Sequence, residues 1–141
     1  MVLTDTAEII KGSRNLEIFI DSSFKEIRLG DWEGKKMEEL SESELEQLQY
    51  FWHDPELYNR PGLERFSDVQ GRFYRGIMKI LRDKYERIYV VSHAVAIKCF
   101  INYALKKELK NLWDVPFIKQ ASIVTMTYDN GTFSFKEYRE F

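Results

Sequence analysis

Three side chains in this sequence have types and positions suited to chemistry: Ser92 and His93 in RIYVVSHAVAIKCF, and Glu26 in FKEIRLGDWEG. Ile88, Tyr89, Val90 and Val91 form a short apolar run of the kind found in a strand buried on both faces. After His93, the residues Val95, Ala96, Ile97, Phe100, Ile101 and Ala104 recur at helical spacing. A strand feeding a helix leaves the helix's first N–H groups and its positive dipole end at the strand tip, a ready anion site. Open α/β sheets also bind ligands outside the carboxyl ends of their strands. Ser92 brings a hydroxyl to that tip and His93 a titratable imidazole.

Each of these residues also has a plainer reading. His93 suits a histidine satisfied by hydrogen bonds at a strand end, and Ser92 suits a helix N-cap. No G-x-S-x-G elbow occurs and no acid–base triad order is evident, which sets a serine hydrolase aside. Glu26 lies between Phe24 and Ile27, where a partly desolvated carboxyl would act as a general acid, although an exposed loop carboxylate fits the same position. Arg28, two residues on, has the reach and charge to hold a phosphate, or is a surface arginine. His53 reads as surface. A metal centre needs more ligands than the chain's two histidines and one cysteine supply, so no metal and no cofactor are expected. Cys99 reads as a small buried hydrophobe.

The elements that would carry these residues fit one domain of 141 residues. Hydrophobic residues make up 44% and aromatics 15%, enough for a real core. A formal net charge of −2 without a basic block argues against nonspecific nucleic-acid binding. With one cysteine there is no disulfide framework, and no apolar run approaches membrane-spanning length. A cytoplasmic location without membrane contact is the expectation.

Along the chain, Thr6 to Lys11 reads as helix ended by Gly12-Ser13, and Leu16 to Ile20 as a strand ended by Asp21. A glycine-bearing loop covers 24–34, and a second helix is expected from about Lys35 towards Phe51. Its glutamates, Glu38 to Glu46, form a solvated face. Pro55 and Asn59–Gly62 interrupt the pattern before a well-marked helix with Phe66, Val69, Phe73, Ile77 and Ile80 on one face, its first turn capped from Ser67 or Asp68. The strand to Ser92 and the helix to about Leu105 follow. Ile123–Tyr128 and Thr132–Tyr138 then meet across Asp129-Asn130-Gly131 as a hairpin. Phe51, Trp52, Tyr58 and Trp32 are core or pocket wall. Strands alternating with helices give an α/β fold with a mixed sheet.

Several segments, in order, resemble the histidine phosphatase (phosphoglycerate mutase-like) superfamily, and most closely its broad-specificity phosphatase and alpha-ribazole phosphatase branch. TAEII at Thr6–Ile10 resembles the helix after that family's first catalytic loops. FKEIRLGDWEG resembles its L-R-E-I-x-x-G-x-W-E-G segment, the most specific of the matches. FWHDPELY, GLERFSDVQGRF and VVSHAVAIK follow in the family's order. The resemblance implies a three-layer α/β/α domain with a mixed, mostly parallel sheet. It also implies metal-free phosphomonoester hydrolysis through a phosphohistidine. Glu26 would be the proton donor to the leaving oxygen and His93 the second active-site histidine on the phosphoryl group. Ala94, in place of the family's glycine, would offer its N–H to phosphate, with Arg28 as a further phosphate contact.

The departures matter as much as the matches. The family's nucleophile sits in R-H-G-x-[TS], which occurs nowhere in these 141 residues, and a phosphate-clamping arginine position holds Val2. The resemblance thus implies an N-terminally incomplete domain lacking the family's first two strands, one on each side of the strand ending at Ser92. Either the remaining strands re-pair directly or another chain supplies strands at open edges, and a homo-oligomer is the expectation. Little or no turnover is expected of the chain alone, with a small phosphorylated metabolite as ligand. The alternatives are a non-catalytic phosphate-binding or oligomerisation module and a mis-started piece of an active phosphatase.

Overall fold

The computed structural model describes residues 3–114 and 117–141. Four α-helices carry most of the regular structure: α1 (Leu3–Lys11), α2 (Glu42–His53), α3 (Phe66–Leu81) and α4 (Ala94–Ala104). Two strands, β1 (Ser122–Asp129) and β2 (Thr132–Glu140), pair antiparallel. Val2 lies outside the described residues.

The long apolar periods are where sequence and structure agree. α3 turns Phe66, Val69 and Phe73 inward, all at most 3% exposed, while Asp68 Oδ2 accepts from the Arg65 N–H at 2.8 Å and closes the first turn. α4 buries Ala96, Cys99, Phe100, Ile101 and Ala104, and the Phe73 and Phe100 rings stack at 5.0 Å where the two helices meet. Phe51, Tyr58, Phe66 and Leu112 extend this core, and the Trp113 indole N–H donates to the Phe51 carbonyl at 2.7 Å. The hairpin turns through Asn130 (φ 48°) and Gly131 (φ 84°), the two left-handed residues of a tight primed turn. It docks through Phe133, whose ring stands edge-on to Phe100 at 5.4 Å.

Two expectations need correction. The helix expected from Lys35 begins only at Glu42. Ser41 caps it, accepting from the Glu44 N–H, and a 3-10 turn at Met37–Glu39 precedes it. A serine that can satisfy a first-turn N–H fixes the start more firmly than the surrounding glutamates do. Second, the mostly parallel sheet is not formed among the described residues. The segments 16–20 and 88–92 carry no regular secondary structure and enter no ladder, with each other or with β1. Their composition favours strands, yet a strand exists only through a hydrogen-bonded neighbour. Phe19 (74% exposed) and Ile20 (87%) stand in solvent as a result. Among the described residues the architecture is therefore a mixed α/β one, with four α-helices and a two-stranded antiparallel sheet.

Candidate functional site

Where the segment 88–92 meets α4, His93 is the N-cap residue, in extended conformation (φ −111°, ψ 159°), and its carbonyl accepts the Ile97 N–H at 2.9 Å. The imidazole is half-buried, and Ala94 is the first residue of the helix. The first N–H groups of a helix lack intrahelical acceptors. Here the acceptor comes from far away in sequence. Glu26 Oε2 accepts from the Val95 N–H at 3.1 Å, and Glu26 Oε1 from the Ala96 N–H at 2.8 Å. Oε1 also takes the Ile27 N–H at 2.9 Å. Glu26 is thus bonded to the two residues that follow His93 and Ala94 in α4's first turn, which brings two of the groups singled out from sequence to the same helix end. A carboxylate against a helix N-terminus is favourable to the dipole as well as to the orphan donors.

The loop that carries Glu26 is fastened on three sides. The Ser92 hydroxyl donates to the Phe24 carbonyl at 2.6 Å, so Ser92 is a tie between segments rather than an exposed hydroxyl. Arg72, from α3, donates through Nη1 to the Ser23 carbonyl (2.8 Å) and through Nη2 to the Glu26 carbonyl (3.1 Å). Its Nε and Nη2 grip the Glu64 carboxylate at 2.7 and 3.1 Å. Burial works against ionisation of Glu64, but the Arg72 fork and the Arg28 N–H outweigh it and hold the carboxyl below its usual range. Gly76 completes the fit. A Cβ there would lie 2.7 Å from Ser23 Cβ and 2.9 Å from the Phe24 ring, so only glycine lets this turn lie on α3.

Of the two readings of Arg28, the structure shows the surface arginine. It is exposed, its guanidinium donates to the Gly62 carbonyl at 2.6 Å, and its N–H donates to Glu64. His53 closes α2 at an exposed position. Cys99 is fully buried, and burial raises its thiol far above the ordinary value. Among the described residues no cluster of three or more His, Cys, Asp or Glu could hold a metal ion, and no helix is long and apolar enough to cross a membrane. Trp52 is 46% exposed, whereas Phe51 and Tyr58 are buried.

The roles of Arg72, Glu64 and Arg60 had no counterpart in the sequence reading. Arg60, buried, donates to the Leu29 carbonyl at 2.6 Å and to Asp31 at 2.5 Å, with its guanidinium over the Trp32 ring at 3.9 Å. It fixes the second half of the glycine-bearing loop. The one available signal was the set of arginines flanking Glu64 and opening the 66–81 helix, which composition alone reads as solvated surface.

Comparison with known proteins supplies the context. The family model for the histidine phosphatase superfamily (branch 1) matches residues 3–140. A bifunctional protein of Mycobacterium tuberculosis is 34% identical over 103 residues, covering 72% of this chain and 28% of its own length. Phosphoserine phosphatase 1 of Hydrogenobacter thermophilus is 27% identical over 110 residues, covering 77% of this chain and 52% of its own. The solved structure of Bacillus stearothermophilus YhfR superposes with a TM-score of 0.85 at 34% identity, over 94% of this chain and 66% of that one. The chain therefore spans between about a quarter and two thirds of the length of these relatives.

Proposed function

Because the chain belongs to branch 1 of the histidine phosphatase superfamily, we propose that it is the acid- and phosphoryl-binding part of a phosphomonoester phosphatase, of the broad-specificity or alpha-ribazole type. The observation that carries this reading is the contact between Glu26 and the first turn of α4, beside His93 and Ala94. A phosphorylated small molecule would place its phosphoryl oxygens against the α4 tip, with the His93 imidazole and the Ala94 N–H as donors. A nucleophilic histidine nitrogen attacks phosphorus, the P–O bond to the leaving group breaks, and Glu26 gives the departing oxygen its proton. Water then attacks the phosphohistidine and releases phosphate, with Glu26 taking up the proton. Arg28 would have to release the Gly62 carbonyl to reach the anion.

In this reading neither His53, exposed at the end of α2, nor His93 is the nucleophile. The full three-layer domain with its mostly parallel sheet would form when strands pair on both sides of 88–92. We place those strands in a homo-oligomer joined through the open edges, in the cytoplasm. Light scattering that gives a compact monomer would overturn the oligomer. The reaction itself is tested with an aryl phosphate, comparing the chain with His93→Ala. The expected result is little or no turnover in either, with inorganic phosphate shifting the His93 ring protons in the unaltered chain. Robust hydrolysis lost in His93→Ala would put a nucleophile inside the chain, and no phosphate-induced shift would remove the site altogether.

A further inference from the structure

We infer that Arg72 is the positioning residue for Glu26, setting where the carboxylate stands through the backbone rather than through contact with it. Glu26 sits on a loop without regular structure, and a long side chain on such a loop samples many positions unless its main chain is held. Three carbonyls within four residues are held: Ser23 and Glu26 by Arg72, and Phe24 by Ser92. The Arg72 contacts bracket the loop on both sides of Phe24, so they fix the direction of the segment and not one point of it.

The arginine can do this because it is itself fixed. Its stem leaves α3 next to Phe73, which is buried in the core, and Glu64 holds its fork from the other side. A planar fork with donors aimed at two carbonyls and one carboxylate cannot be replaced by an ammonium, which offers one point of charge. The Glu64 carboxylate has a second duty that extends the brace: it accepts the Arg28 N–H at 3.0 Å, so the chain is tied again two residues beyond Glu26. Glu26 therefore lies between two clamps that meet in one ion pair, and its own carboxylate is left for the α4 tip. Its catalytic meaning rests on the reading of Glu26 as proton donor. The placement does not.

Amide hydrogen exchange on the full chain reads the placement without turnover. Val95 and Ala96 N–H are protected by Glu26, whereas Phe100 and Ile101 lie deeper in the same helix. Arg72→Lys is expected to speed exchange at Val95 and Ala96 about tenfold while Phe100 and Ile101 stay within about threefold. Glu64→Gln, which keeps the arginine and removes the charge that holds it, should act in the same direction to a smaller extent, and it carries the comparison if Arg72→Lys does not fold. A uniform loss of protection along α4, or none at Val95 and Ala96, would make Arg72 a packing residue and overturn the inference. Absence of phosphatase activity would bear on the proposed reaction alone, because exchange at these two amides does not depend on it.

Discussion

Replacing Glu26 separates its structural duty from its chemical one. In Glu26→Ala, the N–H groups of Val95, Ala96 and Ile27 lose the carboxylate that accepts from them. Losing a helix cap costs about 0.5–2 kcal/mol, and hydrogen bonds to a charged group are worth roughly 1.5–3. The side chain is half-buried, so water recovers part of this, and a net loss of about 2–3 kcal/mol follows. Glu26→Gln keeps one oxygen. Placed where Oε1 now sits, it still accepts from Ile27 and Ala96 but turns an NH2 towards the Val95 N–H, for a loss of about 1 kcal/mol. Urea unfolding followed by circular dichroism separates the two. With a slope of roughly 2 kcal/mol per molar, the midpoint should fall by about 1–1.5 M for alanine and about 0.5 M for glutamine. An alanine variant as stable as the unaltered chain, or a glutamine variant less stable than alanine, would refute the capping geometry on which the site is built.

Gly76→Ala gains up to about 1 kcal/mol of helix propensity but forces the Ser23 turn away from α3 against contacts of 2.7–3.0 Å, so denaturation should show a net loss of about 1–2 kcal/mol. The Glu64 carboxyl is held below its usual value in the fold, so its contribution to stability is present above the unfolded value of about 4.3 and is lost as pH falls through the lower folded value. Glu64→Gln should accordingly flatten the acid limb of a stability-versus-pH curve, and an unchanged limb would count against the Arg72 pairing. Cys99, buried with its thiol raised far above the ordinary value, should react with an aryl disulfide only at the rate of unfolding. Stoichiometric labelling in seconds under native conditions would show that α4 opens.

The helices were the readable part of this chain. In α3 the apolar period and the Asp68 cap point the same way, and the structure follows them; in α4 the period holds, but the cap position falls to His93 while Ser92 ties to the Phe24 carbonyl. The segments 16–20 and 88–92 show the limit of such reading: Leu16–Ile20 and Ile88–Val91 have strand composition, but a ladder depends on a neighbour, and composition is blind to that. At the site, the position of His93 at the start of α4 was legible from the change of period, whereas Glu26, between apolar residues, stood out from an exposed loop carboxylate only through the resemblance of its segment. Arg72 was not. Its type fits any solvated helix face, and only the approach of a loop 46 residues away in sequence makes it a clamp. Arg60 is the same case on the Trp32 side, a charge whose burial follows from tertiary packing alone.

The bonds from Glu26 to Val95 and Ala96 span 69 and 70 residues. Closing so long a loop is entropically costly before the contact returns anything, so these bonds belong to the late part of folding, after the α3–α4 core has gathered both ends. The order has a practical side. Any fluctuation that separates α3 from α4 releases the carboxylate while each helix is still intact, so the site would report on the integrity of the core before circular dichroism registers any change.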